Sequence, residues 1–388
     1  MGIVSALGAG IDAHRNALID ARSGLGPRTF FEGKHATEFI CGMAPHSALP
    51  FSIEETAANR ANLLFDVACK EALSVAGIQA PCTADIIVGT TASNFHGGTL
   101  YYQQMRNCAQ ADNALVAGFM PASVADYAAE TNGLTGKRLT LSSACASATT
   151  AIGHAFRMIA GGRSSMVCAG GVDALCPFIV AGFNSLRLLS KTPCMPFDEK
   201  RCGFNPGEGA AMLVLESAES ADRRGVRPIA YVNGFGEALE AFHHTKANPD
   251  GSGVARALSK AMSRASIESN QVDHVHLHGT ATIHNDISEY NGLRSVFGDR
   301  LESIPVCSTK SMTGHTLGAA GGLSAVFAIL SLEYGIVPPT LFHQALDSQF
   351  AGLSVSPVPR NAHMHCAAMT SLGFGGEVAC LLFESANA

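Results

Sequence analysis

Two stretches of this chain repeat one another's order of elements, and that repeat restricts the possible folds more than any other feature. In the first, apolar periodicity predicts an amphipathic helix over residues 61–75. It leads through Ala76-Gly77-Ile78 to Asp85, an Ile86-Ile87-Val88 strand and Gly89-Thr90-Thr91-Ala92. In the second, a predicted helix over 254–265 leads through Ser266-Ile267 to Asp273, a strand-like run and Gly279-Thr280-Ala281-Thr282. A further echo relates the turn at Cys145, its following helix and a strand at 167–171 to the loop 310–315, a helix over 323–332 and a strand over 369–376. The expectation is an α/β unit used twice, joined near residues 223–228, with halves 1–224 and 225–388. Such a duplication brings loops from both halves to one shared mouth.

The stretch that carries chemistry is LSSACASATT, residues 141–150, where Cys145 stands among small side chains. The run 138–141 before it suits a strand. Ala148, Ala151, Ile152, Ala155, Phe156 and Ile159 after it suit one face of a helix. Cys145 is therefore expected on a strand-to-helix turn, where free N–H groups and the helix dipole favour thiolate. A free thiol titrates at about 8.5, and each tenfold gain in thiolate takes about 1.4 kcal/mol, so a nearby imidazole would complete the activation. Small neighbours leave room for a bulky acyl group. Most cysteines are buried and inert, so this local setting is what singles out one of the 12.

Charged residues make up 15% of the 388, against about 25% in an average chain. That implies a large packed core and an extensive subunit interface. A net charge of −6 offers no electrostatic footprint for nucleic acid. The cysteines form no C-x-x-C pair, which points to reduced thiols in the cytoplasm. No run of about 18 uninterrupted apolar residues suggests a membrane span, and the most apolar stretch, 323–332, stops at Glu333. The opening MGIVSA has Ala6 where myristoylation needs Ser or Thr, and no signal peptide is evident.

Histidines supply the second chemical signal. His274, His276 and His278 alternate, so on a strand they would share one face. They could hold zinc with His284 or Asp286, which leaves a metal-dependent hydrolase as an alternative. In the other reading only His278 matters, at the strand's end against Gly279. It would act with His315 and Lys310 of STKSMTGHTLGAAGG, residues 308–322.

Five motifs in order resemble the elongating β-ketoacyl-acyl-carrier-protein synthases, condensing enzymes of fatty acid and type II polyketide assembly. They are SSACAS at Cys145, PFDEKRCGFNPGEGA (196–210), HGTATIHND (278–286), STKSMTGHTLGAAGG, and the glycine loop SLGFGG (371–376). The resemblance implies a thiolase-like α/β fold of two similar halves in a layered αβαβα architecture, usually dimeric. It implies that Cys145 takes an acyl group, that His278 and His315 stabilise an enolate, and that Lys310 belongs to the same site. Backbone N–H groups of Cys145 and Phe374 would hold an oxyanion, and Phe374 would gate the acyl pocket. Thr280 and Thr282 would bind the phosphopantetheine arm. Phe197 and Arg201 are carried over as substrate-binding, with Arg201 the candidate docking cation for an acidic carrier protein. The arm arrives on the carrier, so no resident cofactor or metal is implied. Tyr101, Tyr102 and Phe119, within 95–120, are expected to line the acyl pocket at a dimer interface.

The chain also departs from the family pattern. It begins inside the first glycine motif, and Ser324 stands where a glutamate commonly faces the lysine, leaving the counter-ion of Lys310 open. Cys202 replaces a common Asp, and Glu377-Val378 replace a polar pair. These departures suggest a specialised member. One alternative is a catalytic subunit active only beside a related chain-length-setting partner.

Overall fold

The computed structural model describes residues 1–31, 35–48, 53–107 and 110–386, with backbone alone for 53–58. Two mixed sheets carry the architecture. The first has strand order Gly8–Ala9, Gly2–Ser5, Gly209–Glu216, Met166–Asp173, Asp85–Gly89, Arg138–Leu141. The second runs Val306–Cys307, His274–His276, Cys366–Leu372, Glu377–Ser385, Ala230–Leu239.

Without the two-residue edge strand, the sheets share one topology. From Gly2–Ser5 the successive pairings are antiparallel, antiparallel, parallel, parallel. From Ala230–Leu239 they are again antiparallel, antiparallel, parallel, parallel. Order and direction agree strand for strand, as a duplicated unit requires. The chain passes from one sheet to the other after helix Ala218–Arg224, which Gly225 ends in the left-handed region at φ 67°.

Helices Ser147–Ala160 and Ala320–Tyr334 lie between the sheets, each touching strands of both. Helix Ile53–Val75 covers the outer face of the first sheet, and Ser252–Ala265 that of the second. The result is five layers, α, β, α, β, α. Position explains composition. Ala320–Tyr334 is apolar all round because it has a sheet on either side. The stretch Leu317–Tyr334 is long and apolar enough to cross a membrane, yet 89% of it is buried in this core.

One expected strand is shorter than its sequence suggested. The strand ends at Leu372, and residues 373–376 form the turn to Glu377–Ser385, with Gly375 and Gly376 at φ 90° and 88°. A Cβ on Gly376 would lie 2.0 Å from the Glu240 carbonyl oxygen, so the turn admits no side chain there. Strands Arg138–Leu141 and His274–His276 end just before Cys145 and His278, and strand ends of open α/β sheets are where ligands gather.

Candidate active site

Strand Arg138–Leu141 delivers the chain to a sharp turn in which Ala144, immediately before Cys145, takes φ 47°. A non-glycine residue adopts that conformation only when its surroundings enforce it. Here the Ala144 carbonyl accepts from Thr91 Oγ1 (2.9 Å) and Ser147 Oγ (2.6 Å). Ser147 Oγ also accepts from Ser143 N at 2.9 Å. The turn holds Cys145 just ahead of helix Ser147–Ala160.

The expected low thiol pKa is not found. Cys145 is 7% exposed, and burial pushes it up to about 11. Lys310 and the N–H groups of Phe374 and Cys145 pull the other way, while nearby Asp173 adds to the rise. Desolvation of the thiolate outweighs the Lys310 charge and these N–H dipoles together.

His278 follows strand His274–His276 of the second half, and His315 sits on the loop before helix Ala320–Tyr334. Their rings meet edge to face with centroids 5.3 Å apart. His315 Nδ1 accepts from Leu317 N at 3.3 Å, which leaves the proton of a neutral ring on Nε2. His278 Nδ1 faces Lys310 Nζ at 3.3 Å, and an ammonium there imposes the same tautomer. Both imidazoles are held well below their usual pKa, first by burial and then by the Lys310 charge. They are neutral donors.

The carboxylate whose charge acts most on Lys310 lies on helix Ile283–Phe297, without a direct ion pair among the described residues. Glu289, fully buried, accepts from His278 N (2.7 Å), Gly279 N (2.8 Å) and Thr370 Oγ1, and its charge supports the Lys310 ammonium. Burial lowers the lysine and raises the glutamate. Lys310 Nζ also donates to the His278 carbonyl. Glu289 escaped the sequence reading, although Asp286 and Glu289, three apart on one helix, carried a signal.

Cys145, His278, His315 and Phe374 line one cavity of about 160 Å³. Phe183, Leu188 and Phe204 give it an apolar wall, and the Phe374 ring meets Phe183 at 6.2 Å. Thr280 and Thr282 line it too, their hydroxyls 2.9 Å apart. His243, Lys246 and His284 also contribute to its lining. The motif 196–210 supports the site from behind. Asn205 O accepts from His315 N at 2.7 Å, and Phe204 packs on the His315 ring at 5.0 Å.

Two expected substrate contacts are corrected. Arg201 is 8% exposed, pairs with Asp347, lies 4.0 Å from Asp286 and covers the Phe350 ring at 4.6 Å. Spent on structure, it offers no docking charge. Arg201→Ala should lower stability by about 3 kcal/mol, as for other broken buried pairs. Urea melts would measure this loss, and carrier affinity per folded molecule should stay unchanged. Phe197 is fully buried at φ 62°, stacked edge-on against Phe350 beneath Gly279, and does not line the cavity.

The metal alternative loses its ligand set. His274 is engaged by the Pro305 carbonyl and His276 by Thr309, while His278 faces Lys310. Among the described residues no three His, Cys, Asp or Glu side chains converge as ligands. Tyr101, Tyr102 and Phe119 do not line the Cys145 cavity in the single chain. Tyr102 is 63% exposed, and Phe119 packs on Phe95, which stacks on Phe178. Residues 108 and 109 of that region lie outside the described residues.

Two halves of one topology, layered αβαβα around a cysteine turn, define a thiolase-like α/β protein. Residues 4–221 match the family described as beta-ketoacyl synthase, N-terminal domain, and residues 229–343 match its C-terminal domain. The chain belongs to the β-ketoacyl synthase family. It is 32% identical over 404 residues to 3-oxoacyl-[acyl-carrier-protein] synthase 2 of Vibrio harveyi, covering 99% of this chain and 97% of that one. Against the synthase of the same name from Staphylococcus aureus (strain COL), identity is 39% over 252 residues, spanning 63% of this chain and only 61% of that protein.

Among solved structures, the ishigamide ketosynthase/chain length factor matches with TM-score 0.90 and 29% identity over 99% of this chain and 97% of that one. A β-ketoacyl synthase from Burkholderia phymatum STM815 matches at 0.88 and 29% over the same shares. A type II PKS acyl-carrier protein in complex with its ketosynthase bound to the hexaketide matches at 0.89 and 26%, covering 99% and 97%.

Proposed function

We propose that this chain is a carbon–carbon bond-forming acyltransferase, a 3-oxoacyl-acyl-carrier-protein synthase of fatty acid or type II polyketide assembly. The observation that carries this reading is one cavity lined by a cysteine from the first half and two neutral imidazoles from the second. The division at 224/225 is supported by the family matches, which end at 221 and resume at 229.

In the first step the Cys145 thiol attacks a carrier-bound acyl thioester. Its proton ends on the departing pantetheine sulfur, so no net base is consumed and a high resting pKa is tolerated. N–H groups of Cys145 and Phe374, which favour the thiolate, would hold the tetrahedral oxyanion. In the second step a malonyl thioester loses carbon dioxide, and its carbonyl oxygen becomes an enolate held by Nε2–H of His278 and His315. The enolate carbon attacks the acyl-cysteine. Cys145 departs as a thiolate eased by Lys310 and takes up one proton. Thr280 and Thr282 flank the pantetheine arm, which the carrier brings, and Phe374 with Phe183 gates the acyl side. No resident cofactor or metal enters the scheme.

With Arg201 engaged elsewhere, Lys246 becomes the basic group for an acidic carrier, while burial and the Lys246 charge keep neighbouring His284 neutral. Lys246→Glu should raise KM for carrier-borne substrate about tenfold at low salt, shrinking in high salt. Initial rates across ionic strength would check it.

A second reading is favoured by the likeness to ketosynthase/chain length factor structures. In it the chain is the catalytic subunit of a heterodimer and is inactive alone. Otherwise it pairs with its own copy. The described cysteines are all free, which supports a cytoplasmic location. Intact-mass spectrometry after exposure to acyl-carrier proteins of graded length, with and without a candidate partner, tests both readings. Failure to acylate Cys145 under both conditions would refute them.

A further inference from the structure

We propose that Asp173 is a positioning residue that clamps the nucleophile turn of the first half to the histidine turn of the second. The inference rests on the condensing-enzyme reading. Asp173 ends strand Met166–Asp173 and is fully buried. Among the described residues it has no cationic partner; backbone and hydroxyl donors surround it instead. Oδ1 accepts from Thr90 Oγ1 (2.7 Å), Ala92 N (2.7 Å) and Ser93 N (2.8 Å), and both oxygens face Thr91 N at 3.1 and 3.0 Å. Oδ2 takes Gly318 N at 2.6 Å. Buried carboxylates are costly unless every lone pair is used, and here the donors come from both halves.

Each arm of the clamp ends at a reacting group. On one side Thr91, held by its N–H, donates its hydroxyl to the Ala144 carbonyl and so supports the φ 47° residue before Cys145. On the other side Gly318 follows Leu317, a branched residue held at φ 53°. Leu317 N–H is the donor that sets the His315 tautomer. Gly318 approaches so closely that a Cβ would stand 2.7 Å from Asp173 Oδ2. An asparagine at 173 would turn an NH₂ group toward N–H donors on one arm, and either that arm or the other would open.

The cysteine arm can be tested kinetically apart from the clamp as a whole. Cys145 acylation is followed by intact mass, and decarboxylation by release of carbon dioxide from malonyl-carrier protein. Thr91→Val should slow acylation about tenfold and spare decarboxylation, whereas Gly318→Ala, whose Cβ would stand 2.7 Å from Thr91 N as well as from Asp173 Oδ2, should slow both. Asp173→Asn should lower kcat of both by more than either single change, with KM within about twofold, in protein whose circular dichroism and melting are native-like. It should also speed iodoacetamide alkylation of Cys145 below pH 9, because a negative charge beside the thiol is gone.

A passive structural role predicts all three variants losing both half-reactions in proportion to folded fraction. That result, or an Asp173→Asn enzyme equal to the unaltered one in both half-reactions, would overturn the clamp. If the unaltered chain neither acylates nor decarboxylates, the functional reading fails instead. The clamp is then judged on alkylation alone, where an unchanged pH profile in Asp173→Asn would refute it.

Discussion

Cys145→Ala is expected to abolish the acyl adduct seen by mass spectrometry and to cut condensation by on the order of 10⁴-fold or more, as loss of a covalent nucleophile does. The fold should persist, because the turn is built by Ala144, Ser147 and Thr91 and owes nothing to the sulfur. Decarboxylation of malonyl-carrier protein should continue, since its donors lie in the other half. With the thiol held up to about 11, alkylation of the unaltered enzyme should be slow at pH 7 and accelerate as pH rises. A rate already at its plateau at neutral pH would show that an electrostatic partner outweighs burial at this sulfur.

The second large effect concerns the imidazoles. His315→Ala removes one N–H donor to the enolate oxygen and should slow decarboxylation by about 10²–10³-fold, while Cys145 still acylates. The pH dependence follows from the direction of the shifts. Both histidines lie well below their usual 6.5, so the neutral donor form persists as pH falls through that value. Decarboxylation should therefore stay level between pH 7.5 and about 6, where an ordinary histidine would be gaining its proton. At the alkaline end, burial lowers Lys310, so the ammonium that fixes His278 is lost at lower pH than an exposed lysine would allow. A rate that changes in step with an ordinary imidazole titration would refute neutral-donor catalysis. Stopped-flow or carbon dioxide assays over this range decide between the two.

The parts of the site that were legible in the chain were those where local order is enough. The helix after Cys145 and the strands at 85–89 and 166–173 follow from apolar spacing, which acts within a few residues. The glycine loop was legible as a loop but not in its extent. Gly376, at positive φ, leaves no room for a side chain against the Glu240 backbone, and that neighbour is more than a hundred residues away. Arg201 and Phe197 were misread for a related reason. A motif carries a residue's identity without saying which way it faces, and both turn inward to Asp347 and Phe350.

From the residues alone came the duplicated α/β plan and the cysteine turn, and the resemblance of motifs added the pairing of His278 with His315, because periodicity and motif order are properties of neighbours along the chain. Only the folded molecule decided the charges. Burial raised the thiol, neutralised the rings, lowered the lysine and supplied Glu289 and Asp173 as unseen partners. Desolvation depends on what surrounds a group in three dimensions, and here those surroundings arrive from the opposite half of the chain.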